Sequence, residues 1–267
     1  MKRLMFLLLS IGLLFFSSQP CGALDVQKIR IATMPIGSSW YVYGGVMGSV
    51  LRNDLPPGSV IDILPYAGAA GNMNLVSEGK AELGLGFPVT GVWALKGGIV
   101  YDKKMTNLRG LVGGLDEYFV GIVATRKSKI TSLSEISKKK MPINLVTMTK
   151  GSLGEIVSGQ VMGAVDASYE AIKSFGGRVT HTSYAQVVDM LTDGRADLFM
   201  HVVTAGHPSM SEIAITADVV FQNIPDEALK RLSTLGWSPA TLPANTFAGQ
   251  TTPISTIGTT TTLITTD

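Results

Sequence analysis

The stretch TMPIGSS (residues 33–39) returns as TMTKGSL at 147–153, 114 residues later, each time after a short β-branched and apolar run. Thr, Met, Gly and Ser hold the same places in both copies. The echo continues: Tyr66-Ala67 is matched by Tyr184-Ala185, and EGKAEL at 78–83 by DGRADL at 193–198. Three landmarks in one order, at domain-sized separation, point to a chain folded twice on one plan, as two similar lobes. In the six-residue segments Gly79 and Gly194 are placed to cap a helix, and Leu83 and Leu198 to open a strand, so their role is structural.

Between the landmarks strand patterns alternate with helical ones. Strands are expected at 29–34, 60–66, 82–87, 143–149, 179–184 and 197–203, with helices at 40–53, 72–79, 89–97, 153–164, 186–193 and 209–214. That order implies βαβ units, mainly parallel sheets and the α/β class. Open parallel sheets bind ligands outside the carboxyl ends of their strands. There, helix N-termini offer unpaired N–H groups and a partial positive charge suited to carboxylate or phosphate. Two such lobes enclose a cleft that closes by hinge around a small ligand. Crossings between lobes are expected near 121–125 and 254–258, giving lobe I as 24–122, lobe II as 123–254 and a return strand to lobe I at 255–267.

The chain opens with two cations, an apolar run from Leu4 to Phe16, a polar stretch and the small residues Cys21, Gly22 and Ala23. This layout is that of a secretory signal peptide cleaved after Ala23. The apolar run is shorter than the roughly 20 residues a membrane-spanning helix needs, and Gln19 and Pro20 replace the small residues of a lipoprotein site before Cys21. Without residues 1–23 the basic and acidic residues balance, so charge suggests neither a nucleic-acid nor a membrane-surface partner. A mature chain without cysteine depends on its core, not on disulfides. The Thr-rich end, TTPISTIGTTTTLITTD, alternates as strands do and then stops. It is expected to be a truncated C-terminus.

The candidate chemistry is sparse. Ser38, Ser39 and Ser152 are placed to cap helices or donate to a ligand, and no G-x-S-x-G elbow surrounds them. Lys150 is either a neutraliser of an anionic ligand or a solvated lysine. GAAGNMN (68–74) lacks both the Lys-Ser/Thr of a P-loop and the spacing of a dinucleotide site, so no cofactor is expected. Asn72 there either caps a helix or bonds the ligand. His201 and His207, six residues apart with no Asp, Glu or Cys between them, fit no usual metal spacing. His201 reads as structural and His207 as a residue lining the cleft. Trp40 and Tyr41 follow the first Gly-Ser loop, and Trp40 is expected to form a cleft wall.

These residues resemble the TAXI-type substrate-binding proteins of tripartite ATP-independent periplasmic (TRAP) transporters. The family's G-G-T-Y-Y loop and following G-G is similar to Gly37, Ser38, Ser39, Trp40, Tyr41 and Gly44-Gly45. Its Asn-Leu before S-G-E-A-D-L resembles Asn72-Met73 before SEGKAEL. Its D-G-x-x-D-A-F-F and G-x-P resemble DGRADLFM and Gly206-His207-Pro208, and T-Y-P-G-Q…P-V-P-T-V-G resembles TFAGQTTPISTIG at 246–258. Two departures fall at the expected ligand. Phe87-Pro88 replaces a polar pair, and the second-lobe G-S-G-T is here Gly151, Ser152, Leu153 and Gly154.

The resemblance implies a bilobal type II periplasmic-binding-protein fold, export to the periplasm, and a receptor rather than an enzyme. Its ligand would be an organic acid or an amino acid such as glutamate, delivered to TRAP membrane subunits. The carboxylate would meet Ser38, Ser39, Thr149 and Ser152, with Trp40 and Tyr41 as a wall and Asn72 and His207 supplying directional bonds. The family also continues into C-terminal helices beyond residue 267. The alternative is a small-molecule transferase on the same bilobal fold, for which no convergent acid, base and nucleophile set is present.

Overall fold

The computed structural model describes residues 25–34, 36, 38–65 and 68–267. The segment read as an export signal, Cys21, Gly37 and Tyr66-Ala67 lie outside the described residues. The first part of the chain runs β1 (Lys28–Ala32), α1 (Ser39–Leu51), β2 (Val60–Leu64), α2 (Gly68–Ser77), β3 (Leu83–Gly86), α3 (Pro88–Lys96), β4 (Leu108–Val112). It continues through β5 (Glu117–Thr125), α4 (Leu133–Lys138), β6 (Asn144–Met148), α5 (Leu153–Ala164), α6 (Tyr169–Ser174), β7 (Arg178–Thr182), α7 (Tyr184–Thr192) and β8 (Leu198–Val203). Last come α8 (Pro208–Thr216), β9 (Val219–Phe221), α9 (Asp226–Thr234), β10 (Ser238–Leu242), β11 (Ile254–Thr260) and β12 (Thr262–Thr266).

Two sheets result, ordered β2-β1-β3-β12-β4 in lobe I and β10-β11-β5-β8-β6-β7 in lobe II, with β9 pairing beside β5. Each contains a parallel trio built on the same plan, β2-β1-β3 and β7-β6-β8. The sheets are not mainly parallel, however. Beside each trio lies a strand that arrives from the other lobe, β12 next to β3 and β5 next to β8, and both run antiparallel. The reason is geometric: a strand entering from the crossover side starts where the parallel strands end.

The internal repeat holds at atomic detail. After α2, the N–H groups of Lys80 and Ala81 both donate to Leu75 O, and after α7 those of Arg195 and Ala196 both donate to Met190 O. Gly79 and Gly194 occupy the left-handed region, at φ 67° and 68°, where a side chain would be strained. The acidic residue that follows reaches the neighbouring strand. Glu82 Oε2 accepts from Arg30 N at 2.6 Å, and Asp197 Oδ2 from Asn144 N at 2.7 Å. These segments lock helix end to strand start, the structural role expected of them.

The chain changes sheets at residues 113–116 and again at Thr261, not at 121–125 and 254–258. β5 and β11 in full belong to the lobe II sheet. The two crossovers bond to each other, Thr261 N to Asp116 O at 3.1 Å and Leu115 N to Thr261 O at 3.2 Å. A second contact between lobes lies beside them. Trp93 of α3 stands edge-on to Trp237 at 6.1 Å between ring centres and donates from Nε1 to Leu235 O at 2.6 Å. One apolar core accordingly runs from Trp40 and Phe87 through Trp93 and Trp237 into lobe II. A second, against α7 and α8, belongs to lobe II alone. On lobe I, Val42, Val46 and Val50 form an exposed stripe along α1.

Candidate functional site

Register alone brings the ligand-type loops together. Gly86, the last residue of β3, pairs with Thr262 just after one crossover, and Val203, the last of β8, pairs with Phe119 just after the other. The carboxyl ends of both parallel trios therefore converge on the crossovers. The loops after β1, β3, β6 and β8 lie at those carboxyl ends, where open α/β sheets hold ligands.

The serines that close the two Gly-Ser motifs have the same local structure. Ser38 and Ser152 take near-identical backbone angles (φ −82°, ψ 155° and φ −76°, ψ 155°). The hydroxyl of Ser38 accepts from Tyr41 N at 3.2 Å to cap α1, and that of Ser152 accepts from Glu155 N at 3.3 Å to cap α5. Each cap uses one lone pair of the hydroxyl and leaves its O–H free to donate, and neither serine bonds a histidine among the described residues. Ser39, Thr149 and Lys150 are exposed, while Tyr41 is half-buried. Lys150 makes no ion pair among the described residues.

Three other predicted site residues are placed differently. Trp40 is fully buried. It packs 4.8 Å from Phe87 and donates from Nε1 to Thr261 Oγ1 at 3.0 Å, so it forms no exposed wall. Thr261 passes the chain on to Asp116 Oδ2 at 3.1 Å. Phe87 is also buried, sandwiched between Trp40 and Tyr118, whose ring centre is 4.9 Å away. Asn72 is fully buried too. Its amide nitrogen donates to Ala32 O at 3.2 Å and Leu85 O at 2.8 Å, tying β1 to β3. An amide committed to two strand carbonyls inside the core has no N–H left for a solute.

His207 caps α8, its Nδ1 accepting from Met210 N at 3.5 Å, and packs against two residues the sequence did not bring to it. His201 Nε2 bonds the Tyr184 hydroxyl, with His207 5.8 Å from the His201 ring and 5.4 Å from that of Tyr184. Burial drives the His201 pKa down to about 3, helped by His207, and lowers that of His207 as well. Both rings are neutral at ordinary pH. Burial also raises the Tyr184 phenol. The Tyr66/Tyr184 echo was the sequence signal for Tyr184. At the crossover itself Tyr118 is raised mainly by burial, against a hydrogen bond from Ser39, and raised further by the Asp116 carboxylate.

Three concavities lie elsewhere, one of them about 330 Å³ against Thr180, Thr182, Gln186 and Arg195. One of about 630 Å³, lined by Arg126, Lys129, Thr131, Gln222 and Asn223, is at the far end of lobe II, where β5 finishes. One of about 240 Å³ sits beside the crossover against Pro88, Tyr118, Gly236 and Pro239. The candidate site is taken at the carboxyl ends of the two parallel trios, because both Ser-capped helix starts and Lys150 lie there and none of them lines these concavities. Among the described residues no group of His, Cys, Asp and Glu is arranged to hold a metal ion, and no helix is long and apolar enough to cross a membrane.

The chain is similar to several solved structures. The glycine betaine/L-proline-binding protein ProX of an ABC transporter from Borrelia burgdorferi superposes with a TM-score of 0.52 at 15% identity, over 88% of this chain and 75% of that one. A phosphonate ABC transporter binding component from Pseudomonas aeruginosa gives 0.48 at 13% identity over 90% and 68%. MatC from Rhodopseudomonas palustris with bound malate gives 0.49 at 14% identity over 91% and 79%. No curated protein matches the sequence. With the strand order described above, the likeness to ProX identifies the bilobal type II periplasmic-binding-protein fold. The profile of the NMT1-like family matches residues 31–267, and the chain belongs to that family.

Proposed function

We propose that this protein is an extracytoplasmic solute receptor. It captures a small carboxylate-bearing solute between its lobes by hinge closure and hands it to a membrane permease. The observation that carries this reading is that two Ser-capped helices, matched in sequence, start at the carboxyl ends of parallel strands next to the crossovers, with Lys150 exposed before one of them and free of any ion pair among the described residues. The openings of α5, α7 and α8 all lie at the carboxyl ends of lobe II strands and add partial positive charge on the same side. Short crossovers joined by hydrogen bonds suit a hinge. The resemblance to TAXI receptors favours a TRAP-type permease as the partner and the periplasm as the location. Ser38 and Ser152 cap helices and bond no histidine among the described residues, and His201 and His207 are neutral and packed against Tyr184, which favours binding over catalysis.

The test is calorimetric titration of the purified protein with a panel of organic acids and amino acids, alongside a Lys150→Ala variant. A carboxylate that binds the parent and is lost or weakened at least tenfold in the variant supports the reading. Turnover of any panel member, or no binding across the panel, refutes it.

A further inference from the structure

The two Gly-Ser motifs are matched in sequence, and their serines in backbone, so the side chains that differ between the motifs are the ones that distinguish the two lobes here. Both serines cap their helices with the same angles and the same hydrogen bond to the third residue on. Two residues before each serine stands a different chemistry, Ile36 in lobe I and Lys150 in lobe II. Ile36 is 74% exposed, and Met34 beside it 36%. No charged residue occurs anywhere from Thr33 to Leu51. The lobe I wall thus offers hydrocarbon and hydroxyls, whereas the lobe II wall offers one full positive charge.

We infer that the solute is an amphipathic monoanion, its carboxylate held by Lys150 in lobe II and its hydrocarbon body covered by Ile36 and Met34 of lobe I. This rests on the reading of the candidate site as a carboxylate site. Closure would remove the apolar surface of Ile36 and Met34 from water, and that gain exists only if an apolar group meets them. A second carboxylate on the solute would instead be pressed against a wall without a cation, and a charge buried unpaired is costly. The opening of α1 supplies only a partial charge there, about half an elementary charge.

One acidic side chain touches the lobe II loop. Glu155 Oε2 accepts from Gly151 N at 3.3 Å, and its Oε1 lies 3.6 Å from His181 Nε2. Its carboxylate is engaged on the β7 side of the loop, with no ion pair to Lys150. A free amine on the solute would have to compete for it.

Three six-carbon probes separate these cases by titration calorimetry on the full chain: hexanoate, adipate and norleucine. Hexanoate is expected to bind at least tenfold more tightly than either of the others. Ile36→Lys should shift the preference at least tenfold towards adipate, with an unchanged melting temperature because Ile36 is exposed. Lys150→Met should abolish hexanoate binding. Adipate binding as tightly as hexanoate, or an Ile36→Lys variant with the same ratio, overturns the inference while leaving the carboxylate site standing. Norleucine binding more tightly than hexanoate overturns it as well, by bringing Glu155 into the site. Binding of none of the three overturns both this inference and the carboxylate reading beneath it.

Discussion

The indole Nε1 of Trp40 donates to the hydroxyl of Thr261 at 3.0 Å, joining residues 221 apart in the chain. The bond ties the first turn of α1 to the point where the chain returns to lobe I. Through Asp116 it reaches the other crossover as well. The helix that starts at the first Gly-Ser motif is therefore anchored on the crossovers.

Replacing Trp40 by Phe keeps an apolar ring but removes the N–H and leaves a void. The expected loss is about 1–3 kcal/mol, combining an unpaired hydroxyl and an incompletely filled core site. Urea unfolding followed by circular dichroism measures it. A midpoint equal to the parent's would show that the bond contributes nothing.

Asn72 is expected to be a stability residue. Asn72→Ala leaves Ala32 O and Leu85 O without the amide that now satisfies them, at a cost of about 2–4 kcal/mol. Solute affinity of the folded fraction should stay within threefold of the parent's. A stable Asn72→Ala protein with lost affinity would return this residue to the binding site.

Acid should destabilise lobe II through its histidines. Folded His201 stays neutral down to about pH 3, whereas the unfolded ring takes up a proton near 6.5. Between those values the unfolded state binds more protons. Stability is therefore complete above about pH 6.5 and falls as pH drops through the window, by up to about 1.4 kcal/mol per unit. His207, also lowered by burial, acts in the same direction. Ion-paired carboxylates such as Glu82, held below 4.5 by Arg30, lose their contribution only at lower pH. Unfolding free energies at pH 7.5 and 5.0 should differ by about 2 kcal/mol, and His201→Gln should shrink that difference by half or more. An unchanged difference in the variant would exclude His201 as the source.

Gly236 lies at φ 95° where lobe II meets α3, and a Cβ there would stand 3.1 Å from Val92 Cγ1. Gly236→Ala is expected to cost about 1–3 kcal/mol, from left-handed backbone strain and from the clash together. Adding Val92→Ala should recover the steric share and leave the backbone share. A double variant no more stable than the sum of the two singles would show that the contact with Val92 does not matter.

The sequence by itself determined the doubled plan. TMPIGSS and TMTKGSL, with EGKAEL and DGRADL, were enough to call for two βαβ lobes, because capping serines, left-handed glycines and alternating apolar runs act within a few residues of where they are written. They put Ser38 and Ser152 at helix starts, as caps or ligand donors, and kept Lys150 as a candidate. What the tertiary structure decided was everything that depends on partners far along the chain. Trp40 looked like a wall because its own neighbours are a loop and a helix start, but Thr261, 221 residues later, draws it into the core. Asn72 looked free to bond a solute until two strand carbonyls, set side by side by the β1-β3 register, used its amide. The crossings moved for a related reason. A β-rich segment such as 254–260 has the same pattern in either sheet, and only pairing with β10 and β5 keeps it in lobe II until Thr261.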